Sequence, residues 1–447
     1  MWIVKAEAGR LRRVLISNTW YSTSLAIPTL SYWPVSRNII PEKYREAWEM
    51  LPRLLEEEGV KCYEQNALIR EVVEKASLKE KKEIISTVWE RKDPWDRPPK
   101  PNDLRWEHIV YGYPHIPYYD EKKEEVIFPD FNEASIYARD PSFMTQIGFV
   151  LSKNCYGQTA NRKTKMLRVI HKYNSEWNKN IKIIYDAAAE TEFDERVEGG
   201  DDIVCDEETI AHGCGNMSNL SGSLAWMRAM FERDKDEVIK QIVLVSMPTG
   251  RFKYTFSHLD TTFNWVDKGK AVVMPYAHTS RLSDALPKER KLLLKLIEGR
   301  RAEFERKFMP VDNLPDLSTI RFIGSCLVYR RGPDGKPMRA SKEDSFVDWL
   351  IGEGKLDRDG IISVAGDPSK HENEVMYLIR AWQEQNRDAP NICQVRPGMI
   401  VTYDVNPYTL EAMREHGITV KQLPSIYLDM GGGPHCMTCP LERDPLP

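Results

Sequence analysis

Short apolar, β-branched runs recur along this chain with amphipathic helical stretches between them, and that alternation restricts it to an α/β architecture. The runs are Arg13–Ile16, Ile181–Tyr185, Ile242–Val245, Ala271–Met274, Ile320–Val328 and Met399–Tyr403. Each has the length of a buried strand. Between them, Ser369–Gln383 sets Val375, Leu378, Ile379 and Trp382 on one helical face. Pro287–Phe308 does the same with Leu293, Leu296, Ile297, Phe304 and Phe308. Tyr408–Glu415 reads as a short helix leading through Gly417 into a strand over Ile418–Gln422.

One segment breaks the alternation. Asn66–Lys92 carries Leu68, Ile69, Val72, Val73, Ile84, Ile85 and Val88 at helical spacings, and a Pro- and Tyr-rich stretch follows over Asp93–Asp120. We expect residues 61–130 to form a mainly helical insertion, with 1–60 and 131–447 making the α/β body. The stretch is too aromatic for plain disorder. A packed cap or an oligomer contact is the expectation, and with it a homo-oligomer.

Composition narrows the partners. The 447 residues carry a net charge of -4 and no long basic run, which argues against nucleic acid or an anionic membrane surface as partner. No apolar run approaches a membrane span, and the N-terminus lacks the pattern of a secretory signal. A cytoplasmic location with reduced thiols is therefore expected for the eight cysteines. Cys326 and Cys393 lie in apolar stretches and read as core residues.

The chemistry-bearing residues fall in five places. Near the C-terminus, Gly431-Gly432-Gly433-Pro434-His435-Cys436-Met437-Thr438 sets a cysteine behind a glycine run, which suits a nucleophile presented on a tight turn. Upstream lie Arg139-Asp140-Pro141, Glu198-Gly199-Gly200-Asp201-Asp202, His258-Leu259-Asp260, and the pair Arg162 and Lys163. Each has a plainer reading: a disordered tail, an Asp-Pro turn, an acidic loop or weak metal site, two strand residues on one face, and solvated charges. Cys436-x-x-Cys439 also offers half of a zinc site or a redox pair, but lacks the second half of the first and the strand–helix setting of the second.

Together the clusters make one chemical sense. A cysteine nucleophile needs help to exist as thiolate, and a histidine can shuttle protons for it. The surplus of carboxylates, Asp140, Glu198 and Asp260, suits a planar cation whose N–H fork carboxylates accept in bidentate fashion. The constellation reads as a cysteine enzyme acting on a guanidino or amidino carbon.

In the order and spacing of these motifs the chain resembles the guanidino-group-modifying, or pentein, superfamily, and most closely its arginine deiminases. The resemblance spans the strand Leu11–Ile16, Arg139-Asp140-Pro141, Glu198-Gly199-Gly200-Asp201, His258-Leu259-Asp260 and the glycine run ending in His435-Cys436-Met437-Thr438. It implies a pseudo-fivefold αβ propeller around a central polar site, with an early helical insertion. It implies that Cys436 attacks the guanidinium carbon of L-arginine and that His258 protonates the departing ammonia and then activates water, giving L-citrulline. Asp140 and Asp260 would clamp the guanidinium, Glu198 would orient it and His258, and backbone near Gly433 would help hold the intermediate. No metal or organic cofactor is implied. Arg162 matches one of two arginines that bind the substrate carboxylate in that family. The second should fall within Ala211–Ser218, where no arginine stands and Asn216 is the nearest match. Amidinotransferases of the same superfamily share the cysteine, histidine and carboxylates, so transfer of the amidino group to an amine is the alternative outcome. So is a guanidino substrate other than arginine.

Overall fold

A computed structural model of the chain describes residues 1–17, 41–89, 98–113, 118–127, 137–154, 162–190, 194–247, 257–274, 324–425 and 432–446, with a few isolated positions besides. Strand β1 (Leu11–Ile16) leads through helix α1 (Pro41–Glu57) to β2 (Lys61–Glu64). Helices α2 (Gln65–Lys75) and α3 (Leu78–Val88), the short α4 (Trp106–Tyr111) and a hairpin of β3 (Tyr118–Asp120) and β4 (Glu125–Ile127) follow. Next come β5 (Ser142–Met144), β6 (Phe149–Leu151), α5 (Arg162–Tyr173), α6 (Ser175–Asn180), β7 (Ile183–Asp186) and α7 (Ala187–Glu190). They lead to β8 (Asp202–Asp206), β9 (Thr209–Cys214), α8 (Leu220–Arg233) and β10 (Gln241–Ser246). After β11 (Phe263–Asp267) and β12 (Gly269–Val273) stand β13 (Cys326–Arg331), β14 (Pro337–Glu343), α9 (Phe346–Gly352) and β15 (Leu356–Ser363). The chain closes with α10 (Glu374–Gln385), β16 (Cys393–Arg396), β17 (Met399–Tyr403), α11 (Pro407–Glu415), β18 (Thr419–Leu423) and β19 (Thr438–Arg443).

The mixed α/β class expected from the sequence is what these elements make, and their pairing repeats. Among the described residues, five three-strand groups share one topology: β19-β1-β2, β5-β6-β7, β8-β9-β10, β11-β12-β15 and β16-β17-β18. In each, the middle strand pairs antiparallel with the first and parallel with the third. In all but the first group a tight connection makes the antiparallel pair, while a parallel neighbour needs a crossover. That crossover is α1 in the first group, α5 and α6 in the second, α8 in the third and α11 in the last. β13 and β14 extend the third group to five strands. No repeat is visible in the amino-acid sequence itself.

The first group joins the two ends of the chain. β19 runs antiparallel to β1, with Cys439 opposite Leu15 and Thr438 opposite Ile16. The site cysteine, three residues ahead of Cys439, is thereby anchored to the N-terminal strand. Packing comes from helices such as α8, whose Trp226, Met227, Met230 and Phe231 form a buried stripe over Ile210, Ile242 and Leu244. Trp226 is fully buried, and truncating such a side chain costs about 3–5 kcal/mol.

Sequence-read elements and observed ones differ mainly at their ends. Met399–Tyr403 is β17 to the residue, and Ile242–Val245 lies within β10. The strand expected over Ile181–Tyr185 starts at Ile183, because the Ile181 N–H caps α6 by donating to Trp177 O at 2.8 Å. The helix expected from Ser369 starts at Glu374, where the Asn373 side chain accepts from Met376 N–H. Ala271–Met274 begins two residues early as β12, and Ile320–Val328 yields β13, with 320–323 outside the described residues. The expected helix Pro287–Phe308 lies outside them too, apart from isolated positions.

The single helix expected over Asn66–Lys92 is two. Ser77 breaks it: Ser77 Oγ accepts from Glu80 N–H at 3.3 Å and Glu80 Oε2 accepts from Ser77 N–H at 2.7 Å. This reciprocal capping box satisfies two N–H groups that an N-terminus leaves open. Residues 61–64 are β2, so the helical stretch begins at Gln65. Its helices pack on α5, where Glu83 accepts from Lys172 Nζ at 2.8 Å and from the Tyr173 hydroxyl at 2.7 Å.

Candidate functional site

Cys436 sits in a turn over residues 434–437, directly ahead of β19. Backbone bonds tighten that turn: Met437 N–H donates to Gly433 O at 3.2 Å and Thr438 N–H to His435 O at 3.1 Å. Arg139 N–H donates to Cys436 O at 3.1 Å, which draws the Asp140 segment to the cysteine. The expected turn over Arg139-Asp140-Pro141 is present. Arg139 itself is buried and spent on structure, donating to Glu7 Oε1 at 3.1 Å and Thr438 O at 3.0 Å.

His258 and Asp260 are brought in by a short 3₁₀ turn over Leu259–Thr261, not by a strand. His258 Nε2 lies 3.1 Å from Glu198 Oε2, both side chains being buried. The same carboxylate oxygen accepts from Asn154 Nδ2 at 3.2 Å. Gly200 lets the histidine approach: a Cβ there would fall 2.7 Å from the His258 ring. Asp260 is fully buried. Its Oδ2 faces His435 Nδ1 at 2.7 Å and the Cys436 sulfur at 3.7 Å. His435 Nε2 in turn lies 3.2 Å from Glu7, which also pairs with Arg139 and Arg443. Cys436, Asp260, His435, Glu7 and two arginines thus form one buried chain of contacts.

The electrostatics of this cluster are unbalanced toward negative charge. Burial, Asp260, Asp140 and Asp388 push the Cys436 thiol well above its usual value, against one backbone hydrogen bond from the Gly433 side that lowers it. Burial pulls His258 down, but Asp140, Asp201 and the Glu198 hydrogen bond outweigh it and hold the imidazolium well above its usual range. Burial raises Asp140 to about 6, with Glu198 and Asp260 adding to it and His258 and Lys163 opposing. Burial likewise raises Asp201 to about 7, although Asp201 accepts from the Ser218 and Leu259 N–H groups at 3.1 and 3.0 Å. Oδ1 of Asp140 and Oδ1 of Asp260 are buried and have no hydrogen-bond partner among the described residues. Unmet buried acceptors of this kind cost roughly 1–3 kcal/mol each. Two such acceptors in one buried cluster suit a flat multi-donor cation.

The structure thus brings five of the sequence-picked residues, Cys436, His258, Glu198, Asp260 and Asp140, into one cluster. Gly433 stands beside it, where a Cβ would fall 2.4 Å from Asn391 O. Arg162 opens α5, and its side chain lies outside the described ones. Asn216 is in the turn after β9, two residues before Ser218, whose hydroxyl accepts the Glu198 N–H at 2.9 Å. The cation nearest Asn216 in the described contacts is Arg196, which donates to the carbonyls of Asn216 and Met217 at 3.1 and 3.4 Å. Cys439 belongs to β19, and its sulfur points at Ser142 O, 3.4 Å away. Among the described residues no group of three or more His, Cys, Asp or Glu side chains is placed to hold a metal ion.

Two site residues, Asn391 and Asp388, escaped the sequence reading. Asn391 touches both the nitrogen and the sulfur of Cys436. Asp388 adds a further carboxylate, raised to about 7 by burial and Asp260, on a backbone with φ of +55°. Such a φ is uncommon outside glycine. Lys163, whose plainer reading is a solvated charge, is buried instead and donates to Tyr137 O at 2.8 Å, and burial pulls its amine well below the usual lysine range against the pull of Asp140. Ala389-Pro390-Asn391-Ile392 carries no motif that would single out Asn391; only the fold sets it against the C-terminal turn.

The family model described as "ADI: Arginine deiminase" matches residues 115–321 and 376–443. Among similar proteins, an arginine deiminase of Bacillus cereus is 25% identical over 332 residues, covering 74% of this chain and 64% of its own length. One from Streptococcus gordonii is 25% identical over 310 residues, covering 69% and 60%. The matched part of the chain therefore spans less than two thirds of these relatives. Among solved structures, an amidinotransferase from Microseira wollei in the saxitoxin biosynthetic pathway aligns with a TM-score of 0.48 at 12% identity, covering 99% of this chain and 97% of that one. The N-terminal domain of a cyanobacterial arginine dihydrolase aligns with a TM-score of 0.48 at 13% identity, covering 97% and 99%. The two stretches matched by the family model take in well over half of the chain and contain Asp140, Glu198, His258, Asp260 and Cys436, and on that match this chain belongs to the arginine deiminase family.

Proposed function

We propose that this protein acts on amidine C–N bonds and hydrolyses L-arginine to L-citrulline and ammonia. The observation that carries the proposal is the pair of buried oxygens Asp140 Oδ1 and Asp260 Oδ1, without a partner among the described residues, in the cluster that holds the Cys436 sulfur 3.7 Å from Asp260 Oδ2 and the His258–Glu198 pair. A guanidinium offers donors to both carboxylates and sets its central carbon against the thiol.

The charges within the cluster support an order of events. Burial together with Asp260, Asp140 and Asp388 holds the Cys436 proton on, while Asp140, Asp201 and Glu198 hold His258 protonated. A guanidinium entering between Asp140 and Asp260 cancels their charge, so the thiol releases its proton to solvent when substrate is present. The thiolate then adds to the guanidinium carbon and an S–C bond forms. Imidazolium His258 gives its proton to the leaving nitrogen, the C–N bond breaks and ammonia departs. Cys436 is left as an amidino-thioether. Neutral His258, held by Glu198, takes a proton from water as the oxygen adds to the same carbon. The adduct's hydroxyl then gives its proton to solvent as the C–S bond breaks, releasing citrulline and the thiolate. Splitting one hard displacement into two additions is the advantage of a covalent route. General acid–base help of this kind contributes roughly 10²–10⁴ in rate.

We place the five repeated strand groups around this cluster as a pseudo-fivefold propeller, and read the helices α2–α4 and the β3–β4 hairpin as an insertion upon it. Arg162 is the proposed partner of the substrate carboxylate, and Asn216 stands where a second arginine is usual. Backbone at Gly433 is proposed to face the bound substrate.

The test is incubation with free L-arginine and no amine acceptor, with products identified by mass spectrometry. Citrulline and ammonia are expected, with Cys436→Ala reducing turnover by roughly 10⁴-fold or more while still gaining thermal stability from added arginine. Turnover in Cys436→Ala at the wild-type rate would refute the mechanism. Ornithine formed only when an amine is supplied would change the reaction to amidino transfer.

A further inference from the structure

We propose that Asn391 is a catalytic residue, whose side-chain amide donates to the Cys436 sulfur and fixes the thiolate in the direction of attack. The inference rests on Cys436 being the nucleophile, as proposed above.

Asn391 is fully buried and grips the cysteine at two atoms. Its Oδ1 accepts from Cys436 N–H at 3.1 Å, and its Nδ2 lies 3.1 Å from Cys436 Sγ. The first contact determines the second. A backbone N–H can only donate, so the amide oxygen must face it, and the NH₂ group must then face the sulfur. The sulfur thus has a donor on one side, Asn391, and an acceptor on the other, Asp260 Oδ2 at 3.7 Å. When the thiol proton leaves, the Asn391 N–H remains on the anion. A donor to the charged form favours that form.

The surroundings show why such a donor matters. The charged groups turned toward the sulfur, Asp260, Asp140 and Asp388, are all carboxylates and all oppose the thiolate, and the phenol of Tyr137 couples to it as well. The imidazolium of His258 is engaged by Glu198. Among these neighbours the Asn391 amide supplies a donor that adds no charge to repel the incoming guanidinium.

The fold is built to seat this side chain. Asn391 N–H donates to Asp388 O at 2.9 Å, closing the turn between α10 and β16. Gly433 leaves room for it: a Cβ there would lie 2.4 Å from Asn391 O and 2.6 Å from Asn391 Oδ1. The last glycine of the run is thus needed for Asn391 as much as for the turn.

The experiment reads the Cys436 thiol directly. Iodoacetamide labelling of Cys436, followed by peptide mass spectrometry as a function of pH and without substrate, gives the thiol's titration midpoint whether or not the protein turns over arginine. Asn391→Asp keeps the oxygen that accepts the Cys436 N–H and replaces the donor by an acceptor. It should raise the midpoint by at least one pH unit, a tenfold slower labelling at any pH below it. Asn391→Ser, which is too short to reach the sulfur, should raise it less. In the wild-type protein, selective ¹⁵N-asparagine labelling should show the Asn391 NH₂ resonances moving with the same midpoint as the alkylation, a readout that needs no variant to fold. An unchanged midpoint in a folded Asn391→Asp, or Asn391 resonances that ignore the thiol titration, would overturn the proposal. A citrulline assay that fails while the midpoint shifts as expected would instead count against the proposed reaction and leave the Asn391–thiol pairing standing.

Discussion

At the scale of single residues, the candidate site is a set of buried carboxylates whose charges work against one another. His258 illustrates it. Three acidic groups, Asp140, Asp201 and Glu198, hold its proton on against the pull of burial. Removing one of them should let the proton leave at lower pH. Glu198→Gln is therefore expected to move the alkaline limb of kcat/KM for arginine down by about one pH unit, and to lower kcat by roughly 10-fold or more through lost orientation of the ring. A pH–rate profile of the variant checks it, and an alkaline limb that stays in place would separate Glu198 from His258. The residue types were readable from sequence because reactive side chains stand out there: a cysteine behind a glycine run, a histidine and a surplus of carboxylates. Asn391 was not, because an amide has no titration and no motif, and its value comes only from what it touches.

At the scale of elements, the ends carry the information that periodicity lacks. The apolar positions Leu68 to Val88 continue in helical phase across Ala76 and Ser77, so periodicity alone predicts one long helix. The Ser77–Glu80 capping box makes two. Removing the cap by Ser77→Ala should cost about 1 kcal/mol. Amide hydrogen exchange in the first turn of α3 should quicken by roughly fivefold, with little change at the remote cysteine turn. Equal exchange in both proteins would show that packing against α5, through Glu83 with Lys172 and Tyr173, holds the helix start unaided. The short strands raise the same issue. Ile181 is apolar enough to begin a strand, yet it ends α6 because its N–H is committed to Trp177 O. Hydrogen bonding sets such a boundary, and side-chain hydrophobicity does not record it.

At the scale of the whole molecule, a buried ionic chain ties both termini to the site. Glu7 near the N-terminus meets Arg139, His435 and, in β19, Arg443. Burial alone would raise the Glu7 carboxyl; the two arginines and His435 overcome it and hold it far below the ordinary 4.5. A carboxyl depressed in the folded state stabilises above pH 4.5, and that contribution disappears as pH falls. Asp140 and Asp201 act in the opposite sense. Raised from 3.8 to about 6 and about 7, they favour the folded state fully below pH 3.8 and lose that contribution as pH climbs through their folded values. The ligand-free protein is therefore expected to lose thermal stability between pH 5 and 7.5, and arginine bound to Cys436→Ala should flatten that slope. Glu7→Ala should cost about 3–5 kcal/mol, since it strands two buried arginines. Thermal melts of the three proteins across this pH range decide both points, and a rising or flat ligand-free curve would contradict the charge balance described here.

By itself the sequence determined the α/β class, most strand cores and the identity of five site residues, because hydrophobic spacing and reactive side chains are local properties. Three features were decided only by tertiary structure. The repeat of five strand groups is a matter of pairing, and pairing partners such as β1 and β19 are separated by almost the entire chain. The commitment of Arg139 to Glu7 and of Lys163 to Tyr137 depends on burial, which a linear pattern does not reveal for a charged residue. The grip of Asn391 on Cys436 depends on a turn meeting a turn, with Gly433 clearing the space between them. Distance along the chain says nothing about such contacts; only the packed fold brings them within 3.1 Å.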